Sequence, residues 1–163
     1  MAVNVFDADL LELLNEYGAG IVDDLKNDID NKRVTPYGAV NASGRLKNSL
    51  KYDVRAGVLQ VSAVYYVQWV ENGRGKGKRP PIAAIEQWIT DKGLIIQDIS
   101  KRSLAFLIAR KIAEQGTVAY RQGGTKLVEG VIAPELKNEL RSRLAKLLKD
   151  KTVAKVRSSF IKL

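Results

Sequence analysis

Apolar residues recur at helical spacing in four segments of the chain. Over residues 6–31 they lie three or four positions apart, which is the pattern of one buried stripe on an amphipathic helix. The same spacing predicts helices over residues 82–92, 100–115 and 134–149. The polar residues between the apolar ones place the opposite face of each helix in solvent.

Glycine and proline mark the interruptions and ends of these elements. Gly18 and Gly20 lie inside the first predicted helix, where each costs about 1 kcal/mol relative to alanine. We therefore expect a kink there, or the close approach of another backbone. Residues 31–43 have the composition of turns and loops, with Pro36 as a helix breaker.

Alternation of apolar and polar residues predicts a β-hairpin in the middle of the chain. Residues 50–55 and 58–64 have strand character, and Ala56-Gly57 between them suits a short turn. A short helical or irregular turn over residues 43–50 leads into the first strand. Residues 65–70 are apolar almost throughout, so the spacing of their apolar residues does not distinguish a helix from a strand.

Two further strands are predicted near the end of the chain. Residues 117–130 suggest an extended loop that includes one strand near 126–131. Residues 152–161 alternate Val153, Lys155 and Arg157 with smaller or apolar residues. Cations at these positions suit the edge of a sheet, where they deter pairing with the wrong strand.

The order of elements predicts one α+β domain over residues 1–163. It comprises a small, mostly antiparallel sheet, a long N-terminal helix, and further helices packed on one face of the sheet.

The chain contains no cysteine and no histidine. Disulfides, zinc–thiolate sites, thiol nucleophiles and the commonest general base are therefore excluded. The carboxylates of Glu71, Glu86, Asp91 and Asp98 are scattered without a metal-binding spacing. We expect no catalytic residue, no metal and no cofactor, and interpret Glu71 as an ion-pair partner of the cations that follow it.

Charge is distributed unevenly along the chain. The net charge is +9, yet residues 1–31 are acidic, and the cations concentrate at residues 74–79 and 137–162. Such asymmetry suggests head-to-tail contact between copies, or two solvated surfaces that never meet. No apolar run is long enough for a membrane span, and the N-terminus lacks a signal peptide, so we expect a protein made and used in a cytoplasm or in a particle assembled there.

A loop rich in glycine and cations follows the apolar segment 65–70. It lacks the spacing of a P-loop or of a dinucleotide fingerprint. We interpret it as a contact loop that stays mobile until a partner orders it. Nucleic acid is the alternative partner. The nearby aromatic residues would then be platforms on which bases stack, although core packing is the simpler interpretation of them. The loop comprises Asn72, Gly73, Arg74, Gly75, Lys76, Gly77, Lys78 and Arg79.

The order of these features resembles a known family. The segments S-G-R-L-K-N-S-L (43–50), Y-Y-V-Q-W-V-E-N-G-R-G (65–75) and R-P-P-I (79–82) are similar to those of the tail-completion or head–tail joining proteins of tailed bacteriophages, in their virion-morphogenesis branch. The likeness covers about residues 5–125 and leaves about 134–163 as appended elements. The positions that carry it are Ser43, Gly44, Leu46, Ser49, Tyr65, Tyr66, Trp69, Glu71, Gly73, Pro80 and Pro81.

The resemblance implies a non-enzymatic structural protein of the virion. Its copies would form a closed ring, a hexamer or a dodecamer, at the neck or at the top of the tail around the DNA channel. Its partners would be adjacent portal, neck or tail proteins, with non-specific contact to packaged DNA and none to a membrane. A free-standing basic protein that binds nucleic acid is the alternative.

Overall fold

The computed structural model describes residues 8–35 and 38–160, so residues 6, 7, 36, 37 and 161 of the predicted segments lie outside the described part. The described chain is an α+β fold with a long N-terminal helix and two small antiparallel sheets. In chain order its elements are α1 (Ala8–Asn31), β1 (Arg33–Thr35), β2 (Gly38–Ala39), α2 (Arg45–Ser49), β3 (Lys51–Arg55), β4 (Val58–Ser62), α3 (Val67–Asn72), α4 (Ile82–Asp91), α5 (Lys101–Gln115), α6 (Val118–Arg121), α7 (Leu127–Val131) and α8 (Pro134–Phe160).

The buried face of α1 forms the centre of the core. It contacts both strands of the β3–β4 hairpin, α2, α7 and α8. The buried residues around it come from α1, from α2 and the residue after it, and from the start of α7, and they are Ile21, Val22, Leu25, Ile29, Leu46, Leu50 and Leu127. The stripe predicted from the spacing of apolar residues is therefore the face that packs.

The predicted hairpin is confirmed. β3 and β4 pair antiparallel, and the two residues between them have positive φ, 50° for Ala56 and 77° for Gly57. Two consecutive residues with positive φ form the tight turn whose twist matches that of the strands. Tyr52, Leu59 and Val61 are half-buried and pack against the core, while their neighbours along each strand are exposed.

Close packing explains why position 18 of α1 is a glycine. A Cβ at Gly18 would lie 2.4 Å from the ring of Tyr52 and 2.8 Å from Leu59 Cδ1. α1 runs through this position as one helix. The element that approaches is thus the side-chain layer of the hairpin, rather than another backbone. Nothing lies within 4 Å of the corresponding position at Gly20.

Local residues cap the ends of α4 and α5. Gly93 and Gly116 have positive φ after α4 and α5, and the Ser100 hydroxyl accepts the Ser103 N–H at the start of α5. At the end of α4, the Lys92 ammonium donates to the carbonyl of Asn41 at 2.6 Å and to that of Ala39. Burial lowers the pKa of Lys92. This lysine therefore ties α4 to the segment that follows β2.

The prediction of a strand near residues 126–131 is wrong, as is that of an extended loop over residues 117–130. Residues 118–121 and 127–131 form the short helices α6 and α7. Helices of this length are marginal without external support. Their support comes from residues far away in sequence, so the local pattern does not contain it.

The prediction of an edge strand with Val153, Lys155 and Arg157 is also wrong. These residues belong to α8, which continues from Pro134 to Phe160. A strand needs a neighbour to satisfy its backbone, whereas a helix satisfies its own N–H and C=O groups. Residues 152–160 are exposed on every side, so their alternation corresponds to no buried face.

The two glycines of α1 should respond in opposite ways to alanine. We expect Gly18→Ala to destabilise the protein by about 1–3 kcal/mol, because the methyl group would overlap the Tyr52 ring. We expect Gly20→Ala to stabilise it by up to about 1 kcal/mol, because the position is open and alanine favours helix. Denaturant unfolding of both variants measures this. Equal effects would contradict the packing of Tyr52 on Gly18.

Candidate interaction surface

Glu71 joins two parts of the chain that are distant in sequence. Its carboxylate accepts the N–H of Val128 at 2.8 Å and that of Glu129 at 3.0 Å, at the start of α7. Its carbonyl accepts the N–H of Thr125 at 2.6 Å. A carboxylate at a helix N-terminus satisfies free N–H groups and complements the helix dipole. The interpretation of Glu71 as an ion-pair partner of the following cations is therefore wrong, since Glu71 caps α7.

The loop after Glu71 is fastened to the junction of α5 and α6. Arg74 and Thr117 exchange two hydrogen bonds, from the Arg74 N–H to Thr117 Oγ1 at 3.0 Å and from the Thr117 N–H to the Arg74 carbonyl at 2.8 Å. The Gly77 N–H donates to the carbonyl of Ala113 at 2.8 Å. Gly73 has a φ of 71°, and a side chain there would overlap the backbone of Tyr120. The expectation of a mobile loop does not fit these contacts.

The cations of this loop differ in their surroundings. The side chain of Arg74 is half-buried and donates to the carbonyl of Lys78 at 3.0 Å, within the loop itself. Lys76, Lys78 and Arg79 are exposed, and the guanidinium of Arg79 lies 5.1 Å from the centre of the Phe106 ring. Three cations are thus presented on a backbone of defined path.

The aromatic residues before the loop divide between core and surface. Tyr66 packs against the core, as expected. Tyr65 is 76% exposed and Trp69 47% exposed, and their rings meet edge to face at 5.8 Å. The expectation that these two residues are core is wrong: Tyr65 lies in the turn before α3 and Trp69 on the outer side of α3, while Tyr66, Val67 and Val70 pack against the core.

Several positions that carry the family resemblance have structural roles. Gly44 has a φ of 75° at the start of α2, and Leu46 is buried in the core. The Ser49 hydroxyl donates to the carbonyl of Leu46 at 2.7 Å and accepts the N–H of Val64 at 3.2 Å, which joins α2 to the end of the hairpin. Pro80 is buried and Pro81 caps α4, whereas Ser43 is exposed.

The α4–α5 hairpin exposes the most apolar surface beyond these motifs. Ile95, in the loop between the two helices, is 91% exposed, and Ile96, Phe106 and Leu107 are exposed as well. Ile95 and Ile96 border an open depression of about 360 Å³ with an apolar lining. This surface was not predicted, although the run of apolar residues 94–96 directly after Gly93, which ends the helix, is a signal for it.

The acidic helix and the basic helix meet within one chain. Arg143 of α8 donates two hydrogen bonds of 2.7 Å to the carboxylate of Glu16 and lowers the pKa of that carboxyl. The Tyr17 hydroxyl donates to Glu139 at 2.9 Å, and Lys151 lies 2.9 Å from Asp9. The expectation that the acidic and basic surfaces never meet is therefore wrong, whereas contact between copies stays a prediction.

The described residues include no group of three or more acidic side chains placed to hold a metal ion. Among them, no helix is long and apolar enough to cross a membrane. At its surface the described chain exposes the aromatic pair Tyr65 and Trp69, the basic loop and the apolar residues of the α4–α5 hairpin. Comparison with known protein families, with curated proteins and with solved structures finds no match to this chain.

Removal of the Glu71 carboxylate should loosen α7. We expect Glu71→Ala to cost about 1–2 kcal/mol of stability, because two N–H groups lose their acceptor, and Glu71→Gln to cost less, because one amide oxygen remains. Denaturant unfolding measures the stability, and amide hydrogen exchange at Val128 and Glu129 locates the effect. Glu114→Ala on α5 is the control. Unchanged exchange at both amides would contradict the capping role.

Proposed function

We propose that this chain is a structural subunit of a tailed bacteriophage, located at the neck or at the top of the tail. Its copies form a closed ring around the DNA channel and join the head to the tail. The order of motifs over about residues 5–125 supports this proposal. The observation that carries an assembly role is the exposed apolar surface of the α4–α5 hairpin, because residues such as Ile95 and Ile96 gain most from burial against another protein.

The other surfaces fit the same role. Tyr65 and Trp69 form an edge-to-face aromatic pair at the surface, and aromatic residues are enriched at the centres of protein interfaces. The loop with Lys76, Lys78 and Arg79 has a defined path, so it loses little conformational entropy when it docks on an adjacent ring or on an acidic surface.

A ring predicts one defined assembly. We expect native mass spectrometry and negative-stain microscopy to show closed particles of six or twelve copies. Ile95→Asp should raise the protein concentration needed for half assembly by about tenfold or more, because it would place a charge in the apolar patch that assembly buries. Gln97→Asp is the matched control, with the same charge change two positions away in the same loop. A wild-type chain that stays monomeric at high concentration would contradict self-assembly into a ring.

Binding to nucleic acid is the second candidate. The three exposed cations of the loop and the pairing of Arg79 with Phe106 favour it, since such sites combine phosphate-binding charge with an aromatic platform. An experiment can distinguish the two candidate functions, because nucleic-acid binding requires that the single chain has affinity for DNA.

Neutralisation of the loop tests this candidate. If the loop binds DNA, Lys76→Gln, Lys78→Gln and Arg79→Gln together should weaken binding and reduce the slope of log affinity against log salt by about 0.9 for each lost phosphate contact. Arg74 stays unchanged in this variant, because its side chain holds the loop. Replacement of the exposed Arg45, Lys51 and Arg55 by glutamine is the control. Equal salt slopes for the two variants would exclude the loop as the DNA site.

A further inference from the structure

The basic loop and α5 lie side by side and run in opposite directions. The start of the loop is bonded to Thr117, just after the end of α5. The Gly77 N–H then donates to the carbonyl of Ala113. The Arg79 guanidinium lies 5.1 Å from the centre of the Phe106 ring, about two turns nearer the start of the helix. The loop thus follows α5 from its end back to Phe106.

Exposed cations accompany this path. Three of them belong to the loop, as described above. Arg102 and Arg110 of α5 are exposed as well and lie one turn before and one turn after Phe106, on the same side of the helix. Arg110 lies 3.7 Å from Glu114, which offsets its charge, whereas the charges of the loop and of Arg102 suit a chain of phosphates.

Tyr120 provides an aromatic surface at one end of the path. A Cβ at Gly75 would lie 3.4 Å from Tyr120 Cε2, and a Cβ at Gly116 would lie 2.8 Å from Tyr120 Cδ1. These two atoms are opposite corners of the ring, so the ring lies across the two glycines. The 50% exposure of Tyr120 then comes from the other side of its ring.

Phe106 provides a second aromatic surface at the other end. It lies about 15 Å from Gly116 along the axis of α5, at 1.5 Å per residue, and it is 44% exposed. Together with Arg102, Ser103 and Leu107 it lines an open depression of about 390 Å³. A planar base can enter this depression beside the ring, with the Arg102 guanidinium at its border.

The combination of cations and aromatic rings selects among partners. Each nucleotide of a single strand carries a phosphate and a planar base, and sites for single strands combine a cationic path with aromatic platforms. In a duplex the faces of the bases are stacked on one another, so a duplex would neutralise the cations but leave both rings without a partner. The carboxylates of an acidic protein would do the same.

We propose that this path binds a single strand of nucleic acid, and we call it the α5 track. Phosphates lie along its cations, one base stacks on Tyr120, and another enters the depression beside Phe106. About four nucleotides span the distance at about 3.4 Å for each. The proposal rests on nucleic-acid binding by the basic loop, the second candidate function, and is independent of ring assembly. The residues of the α5 track are Lys76, Lys78, Arg79, Arg102, Phe106 and Tyr120.

Removal of the rings tests stacking apart from charge. The probes are a labelled thymidine oligonucleotide, an abasic strand and a duplex of the same length, titrated with the full chain at several salt concentrations and followed by fluorescence anisotropy. We expect Tyr120→Leu and Phe106→Leu each to weaken binding of the thymidine strand by about tenfold. The affinity for the abasic strand and the salt slope should stay unchanged, because the phosphate contacts remain.

Two further variants are the controls. Tyr120→Phe keeps the ring and should bind the thymidine strand like wild type. Phe160→Leu makes the same change as Phe106→Leu at an exposed phenylalanine of α8 and should have no effect.

The outcomes separate this proposal from the second candidate function. Leucine variants that bind the thymidine strand like wild type, or equal affinity of the wild-type chain for strand and duplex, would overturn the α5 track and leave phosphate binding by the loop intact. Equal losses for the thymidine and abasic strands would also overturn it, since the rings would then only support the loop. Tighter binding to polyglutamate would make an acidic protein the partner. No affinity for any nucleic-acid probe at low salt would overturn this proposal and the second candidate function together.

Discussion

Burial of one face of α1 is the constraint on which the remaining structure depends. The β3–β4 hairpin lies on this face, α2 and α7 pack at its end, and α8 runs along its side. The Tyr52 ring packs directly against α1 because Gly18 has no side chain. The hairpin can therefore lie closer to the helix than a side chain at this position would permit. Burial of apolar area is the largest favourable term in folding, and here much of it involves this one helix.

Polar contacts then fix the parts that the core does not cover. Glu71 holds α7 through its carboxylate and Thr125 through its carbonyl, and Thr117 holds the start of the basic loop while it caps α6. Lys92 joins α4 to the segment after β2. In each case one side chain or peptide unit connects segments far apart in sequence. The basic loop therefore presents its cations on a backbone of defined path.

The surface divides according to chemistry. The acidic and basic helices neutralise each other in part along their seam, with Arg143 paired to Glu16 and Lys151 to Asp9. Exposed pairs of this kind contribute little stability, but they orient α8 along α1. Exposed apolar side chains lie on the α4–α5 hairpin, in the Tyr65–Trp69 pair and near the end of α8.

The sequence by itself determined the elements whose causes are local. The stripe of α1, the turn at Ala56-Gly57, the caps of α5 and the start of α8 at Pro134 all follow from residues within a few positions of each other. Tertiary structure decided the rest. The carboxylate that caps α7 lies 57 positions away. Tyr65 and Trp69 lie at the surface because Tyr66 and Val70 on this segment pack against the core. The alternation over residues 152–160 predicted a strand, yet these residues stay helical because α8 satisfies its own backbone where no neighbouring strand is present in the described chain.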